Sequence, residues 1–98
     1  MNTIIERLMG VDTLTDQVIA MDMLTAAKSG IHMYAMAATE AATPEVRAVF
    51  AKHLFEAIDT HEKLTAYMMQ RGFYHPYDVQ EQVRLDRKTA QTALDIPT

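Results

Sequence analysis

TPEVRAVFAKHLFEAIDTHEKLTAYMMQRG, residues 43–72, reads as one long helix and decides the fold. Phe50, Leu54, Ala57, His61, Leu64 and Met68 recur at alternating steps of four and three, so they share one helix face. Ala51, Phe55, Ile58, Glu62, Thr65 and Met69 form a second seam beside the first. The two seams predict a broad apolar face, interrupted by ionisable groups only at His61 and Glu62. Lys52, Glu56, Asp59, Lys63 and Gln70 take the opposite, wet side.

Signals at both ends of this stretch place the neighbouring elements. Thr43 can cap, Pro44 suits the first helical position, and Glu45 complements the helix dipole. Gly72 suits the left-handed position after a helix, with Phe73 placed for the apolar contact that follows such ends. Upstream, residues 14–41 predict another long helix. Its seam is Leu24, Ala27, Ile31, Tyr34, Ala38 and Ala41, flanked by Ala20, Met23, Ala26, Gly30 and Ala37. Those small residues allow a close helix–helix approach. So little chain separates the two helices that they must form an antiparallel hairpin. Downstream, His75-Pro76 enforces an extended step. Asp78 with Glu81 fits a capping box opening a third helix over 79–94, with Val79, Val83, Asp86, Ala90, Ala93 and Leu94 as its seam. Residues 3–9 predict a short N-terminal helix ended by Gly10, with Asp12 or Thr13 capping the next. Residues 1–11 are thus an N-terminal segment and 12–98 the helical domain. The expected fold is all-α, an antiparallel bundle of three main helices (14–41, 44–71, 79–94). Three unequal helices leave an apolar face uncovered, which predicts a homodimer whose two hairpins complete a four-helix core.

Composition narrows the functional classes. The chain has 98 residues, one domain's worth, enough to bury a core without staples. With no cysteine, thiolate metal sites, disulfides and thiol nucleophiles are excluded. A net charge of −4 without a basic run argues against nucleic acid. No apolar run is long enough for a membrane span, and Glu6 and Arg7 interrupt what a signal peptide would need. A protein made in the cytosol is expected. The eight methionines fall at seam spacing, which suits cores and adaptable interfaces better than copper.

Buried ionisable groups must be paired, neutralised or metal-bound. Counting along the hairpin puts Asp22, His61, Glu62 and Asp86 within about one turn of one another. The first reading is a hydrogen-bond network, His61 with Asp22 or Asp86, that fixes helix register. The alternative is a divalent metal, since carboxylates and a histidine from facing helices hold metals in ferritin-like bundles. The Glu-x-x-His spacing of those bundles is absent, and adjacent His61 and Glu62 point about 100° apart. No nucleophile–base arrangement or phosphate loop stands out, so no catalytic residue and no resident cofactor are assigned. Tyr67, Phe73, Tyr74 and Tyr77 cluster at the second turn. They are read as an aromatic cap or, at Tyr74 and Tyr77, as a protein-binding patch.

ATPEVR, IDTHE and GFYHPYD, within a stretch reaching from Asp22 to Ala93, resemble the spore coat F-type family, the coat F domain of endospore-forming bacteria. The resemblance implies a ferritin-like helical fold and a non-catalytic structural or assembly role. It also implies synthesis in the mother cell, a place in the spore coat, and other coat proteins as partners. His61 and Glu62 match the His-Glu pair that recurs in that family, and the resemblance assigns them no role.

Overall fold

The structure, a computed structural model, describes the backbone of residues 3–97 and the side chains of residues 10–97. Three helices account for nearly all of it: α1 (Thr3–Glu40), α2 (Pro44–Gln70) and α3 (Val79–Leu94). Among the described residues there is no strand. The chain divides into two compact units. One is Met21–Tyr67; the other joins the chain up to Ala20 with the chain from Met68 onward.

The unit Met21–Tyr67 is a helical hairpin. Its link, residues 41–43, closes as the residue types require. The Thr43 hydroxyl accepts from the Val46 amide at 3.3 Å, and the Thr43 carbonyl accepts from the Arg47 amide at 3.0 Å. The Arg47 guanidinium donates to the Ala41 carbonyl, one of the acceptors that the end of α1 leaves without an intrahelical partner. The α1 seam residues Ala27, Ile31, Tyr34, Ala38 and Ala41 are half-buried, as are Phe50, Leu54, Ala57, His61 and Leu64 of α2. Leu24 is the one side chain of this unit that is buried. The second α2 seam, expected to be covered, is open along its middle: Phe55 is 69% exposed and Ile58 and Glu62 are exposed too, while Ala51 and Thr65 are half-buried. Two helices have a single mutual contact face, so a seam about 100° away from it cannot be buried within a hairpin.

The other unit holds most of the core: Ala20, Met68 and Phe73, with Gln17 as a buried polar neighbour. Here the end of α2 forms the expected glycine-terminated turn. Gly72 has a φ of 72°, its amide donates to the Met69 carbonyl at 3.1 Å, and the Phe73 amide reaches back to the Met68 carbonyl at 2.8 Å. This is the double bond pattern of a Schellman end, and it brings Phe73 against the turn that carries Met68.

Two expectations are corrected in this unit. First, α1 runs without a break through Gly10, so there is no separate N-terminal helix, and Asp12 and Thr13 are helix-interior residues, not caps. One glycine in a helix costs only about 1 kcal/mol, less than the continuing helix returns. Second, α3 turns a different face inward. Gln82, Leu85, Thr89 and Thr92 are half-buried, whereas Val79 is 76% exposed, and Val83, Asp86, Ala90, Ala93 and Leu94 of the expected seam are exposed as well. Hydrogen bonding sets this rotation: the Gln82 carbonyl oxygen accepts from the His75 amide at 2.6 Å. The Asp78 cap is present, its carboxylate accepting from the Glu81 amide at 3.0 Å, but the Glu81 side chain pairs with Arg84 and does not return to the cap.

Burial is concentrated in a few of the described residues, with Met68 at 0% exposure, so truncating it should be costly. Met68→Ala is expected to lower the unfolding free energy by about 2–5 kcal/mol. Lys52→Ala, on an exposed position, should change it by less than about 0.5 kcal/mol. Chemical denaturation compares the two, and equal effects would contradict the assignment of the inward face.

Candidate functional site

The four ionisable candidates are distributed as follows. Asp22, His61 and Glu62 belong to the hairpin unit, and Asp86 to the other. Asp22 and Glu62 are exposed. Asp86 is exposed and accepts from the Gln82 amide nitrogen at 2.9 Å, one helical turn away. His61 is half-buried; its carbonyl accepts from the Thr65 hydroxyl at 2.9 Å, while its Nε2 is buried without a hydrogen-bond partner. Within the hairpin unit, the expected bond from His61 to Asp22 is therefore not formed. Asp22 lies on the solvent side of α1, and the Asp86 carboxylate is engaged along its own helix. Among the described residues, no group of three or more His, Asp or Glu side chains is placed to hold a metal ion.

His53 of α2 packs beside the end of the α1 seam. Its ring lies 5.5 Å from that of Tyr34, tilted by 34°, and its Nδ1 is 3.4 Å from a Glu56 carboxylate oxygen. These side chains stand along an open groove of about 340 Å³ with Ala26, Gly30 and Tyr34 of α1 on one wall and His53, Glu56 and Thr60 of α2 on the other. The link of His53 to Tyr34 depends on hairpin register, which spacing along one helix does not reveal. On the wet side, Lys63 and Asp59 pair at 2.9 Å. The Asp59 hydrogen bond, then its charge, holds the Lys63 ammonium above its usual pKa.

The second turn is the most polar and aromatic part of the other unit. Phe73 is buried, with the Arg71 guanidinium 5.5 Å from its ring centroid. Its carbonyl accepts from the buried Gln17 amide nitrogen at 3.4 Å. Tyr74 is half-buried and Tyr77 is 91% exposed, so the aromatic cap is Phe73 alone and Tyr77 stands in solvent. Gln17 and Gln82 are the polar residues that hold this turn, and composition did not flag them. Gln17 lies seven residues before Leu24, on the inward seam, and that spacing was the available signal.

No described helix is long and apolar enough to cross a membrane. What the geometry defines is an all-α protein of three helices that presents apolar surface outward. The coat F domain family matches residues 15–78, and the chain belongs to that family. It is 57% identical, over all of its 98 residues and 99% of the relative's length, to the spore coat protein F-like protein YraD of Bacillus subtilis strain 168. No solved structure matches.

The Gln82 contact at the turn is open to test. Gln82→Ala leaves the part-buried His75 amide without its acceptor, and such a loss costs about 1–3 kcal/mol. Denaturation should show a loss in that range, larger than for Gln80→Ala on the exposed face of α3. Equal small losses would mean that the bond does not set the helix.

Proposed function

We propose that this chain is a non-catalytic structural protein of the bacterial spore coat. On this reading it is made in the mother cell and works by self-association. Two copies bring their hairpins together into an antiparallel, ferritin-like four-helix bundle, and other coat proteins attach to the assembly. The observation that carries the reading is the full-length likeness to a relative whose name places it with spore coat proteins. The physical support is the surface. A hairpin with one buried side chain, exposing Met23, Met33, Met36, Phe55 and Ile58, has apolar area that water disfavours and a second copy can remove. The exposed Tyr77, beside Tyr74, is the proposed contact for a different coat protein.

A fluorescent fusion expressed from its own promoter in a sporulating host is expected to gather around the forespore and stay with purified spores. Fluorescence that remains diffuse in the mother cell and is lost on spore purification would overturn the coat assignment. Sedimentation equilibrium of the purified chain should report a dimer at micromolar concentration, and a strict monomer would count against self-association.

A further inference from the structure

We propose that the cavity between residues 10–17 of α1 and residues 85–92 of α3 binds a small organic carboxylate that has a ring-sized apolar body and carries an N–H or O–H donor. The proposal does not depend on the coat assignment.

The cavity measures about 210 Å³ and lies wholly within the unit that joins the two ends of the chain. An apolar cavity of about 150 Å³ is enough for benzene, so the room here suits one six-membered ring with its substituents. Leu14 and Leu85 give it an apolar wall. Gly10 keeps it open. A Cβ there would stand 3.6 Å from the Thr92 methyl, in ordinary contact across the cavity, and a longer side chain would take up the space.

Gln17 sets the first polar requirement. It lines the cavity although only 9% of it is exposed. Its amide nitrogen donates to the Phe73 carbonyl at 3.4 Å, and since a carbonyl can only accept, this fixes which end of the amide is which. The other end, Oε1, accepts no hydrogen bond among the described residues. A buried acceptor left in that state is unfavourable, and a donor in the cavity relieves it. The hydroxyls of α3 that line the cavity do not serve. Thr89 donates to the Asp86 carbonyl at 3.0 Å and Thr92 to the Lys88 carbonyl at 2.9 Å. The donor must therefore come from a bound molecule.

Lys88 sets the second requirement. It lines the same cavity, reaches solvent, and makes no ion pair among the described residues. No Asp or Glu is among the residues that line the cavity. An ammonium beside a space without a counter-charge selects an anion. The leucine wall selects against a bare inorganic anion, which gains nothing from apolar contact. An apolar body between a carboxylate and a donor meets all three demands, and such a division of labour is usual in small-molecule sites.

The probes are meta- and para-hydroxybenzoate, titrated into the isotope-labelled full chain and followed by NMR. One isomer is expected to bind saturably and to move the Gln17 side-chain amide signals together with the Gly10 and Thr92 backbone amides. Benzoate, which lacks the donor, should bind about fivefold more weakly, the worth of one neutral hydrogen bond. Para-hydroxybenzyl alcohol, which lacks the charge, should bind about tenfold more weakly, and Lys88→Met should weaken the hydroxybenzoate by a similar factor. Gly10→Leu should abolish binding while keeping the helix, which circular dichroism checks. If that variant does not fold, Lys88→Met, at an exposed position, still decides the outcome. No saturable shift with either isomer overturns the site, as do shifts that persist unchanged in Lys88→Met. Benzoate binding as tightly as the hydroxybenzoates overturns the part assigned to Gln17.

Discussion

The end of α2 is the constraint on which the rest depends. Gly72 takes a backbone conformation that side chains resist, and this lets the Phe73 amide fold back onto the Met68 carbonyl. Three consequences meet there. Met68 becomes the one side chain with no exposure among the described residues, Phe73 is driven inward beside it, and the Phe73 carbonyl is turned to accept from Gln17 on α1. A helix ending one residue later would carry Phe73 to a different side and leave the Gln17 amide in an apolar setting without an acceptor. Such an orphan is expensive because protein interiors cannot solvate it.

Against this tight corner the hairpin unit is loosely covered. Its arms meet along one seam each, and half-buried residues such as Ile31, Leu54 and Leu64 are all that two helices can offer each other. Small side chains dominate α1, so its backbone can come near a neighbour, but little apolar volume is removed from water per residue. The large residues, Met33, Met36 and Phe55, stand outside. The chain thus separates two tasks. One unit supplies most of the internal core, and the hairpin supplies surface.

Where reading the sequence succeeded, the cause was local. Thr43-Pro44-Glu45, Gly72-Phe73 and Asp78 each carry a backbone or capping preference that operates within a few residues, and each does what its chemistry dictates. The misreadings came from non-local effects. The inward face of α3 is built from Gln82, Leu85, Thr89 and Thr92, with the Gln82 side chain bonded to the His75 amide, while Val79, Val83 and Leu94 look outward. Counting hydrophobic residues selected the side with Val79, Val83 and Leu94, because Leu85 is the one large apolar residue among three polar ones on the inward face. Glu62 was misplaced because two adjacent seams were read as one buried surface, although the second is exposed at Phe55, Ile58 and Glu62. Family membership was legible from ATPEVR, IDTHE and GFYHPYD, since those segments include the caps and the turn that make the fold.

The short link at residues 41–43 has a kinetic consequence. The hairpin unit is continuous in the chain, so its contacts can zip outward from that link, each closing a loop only slightly larger than the last. The Gln17–Phe73 bond spans 56 residues, and closing such a loop in an otherwise unstructured chain would cost about 3.5 kcal/mol in entropy. With the hairpin already formed, most of that distance is bridged. The order of events expected from this topology is hairpin first and Phe73 corner second, a low-contact-order route that leaves little time for a partly folded chain to go astray.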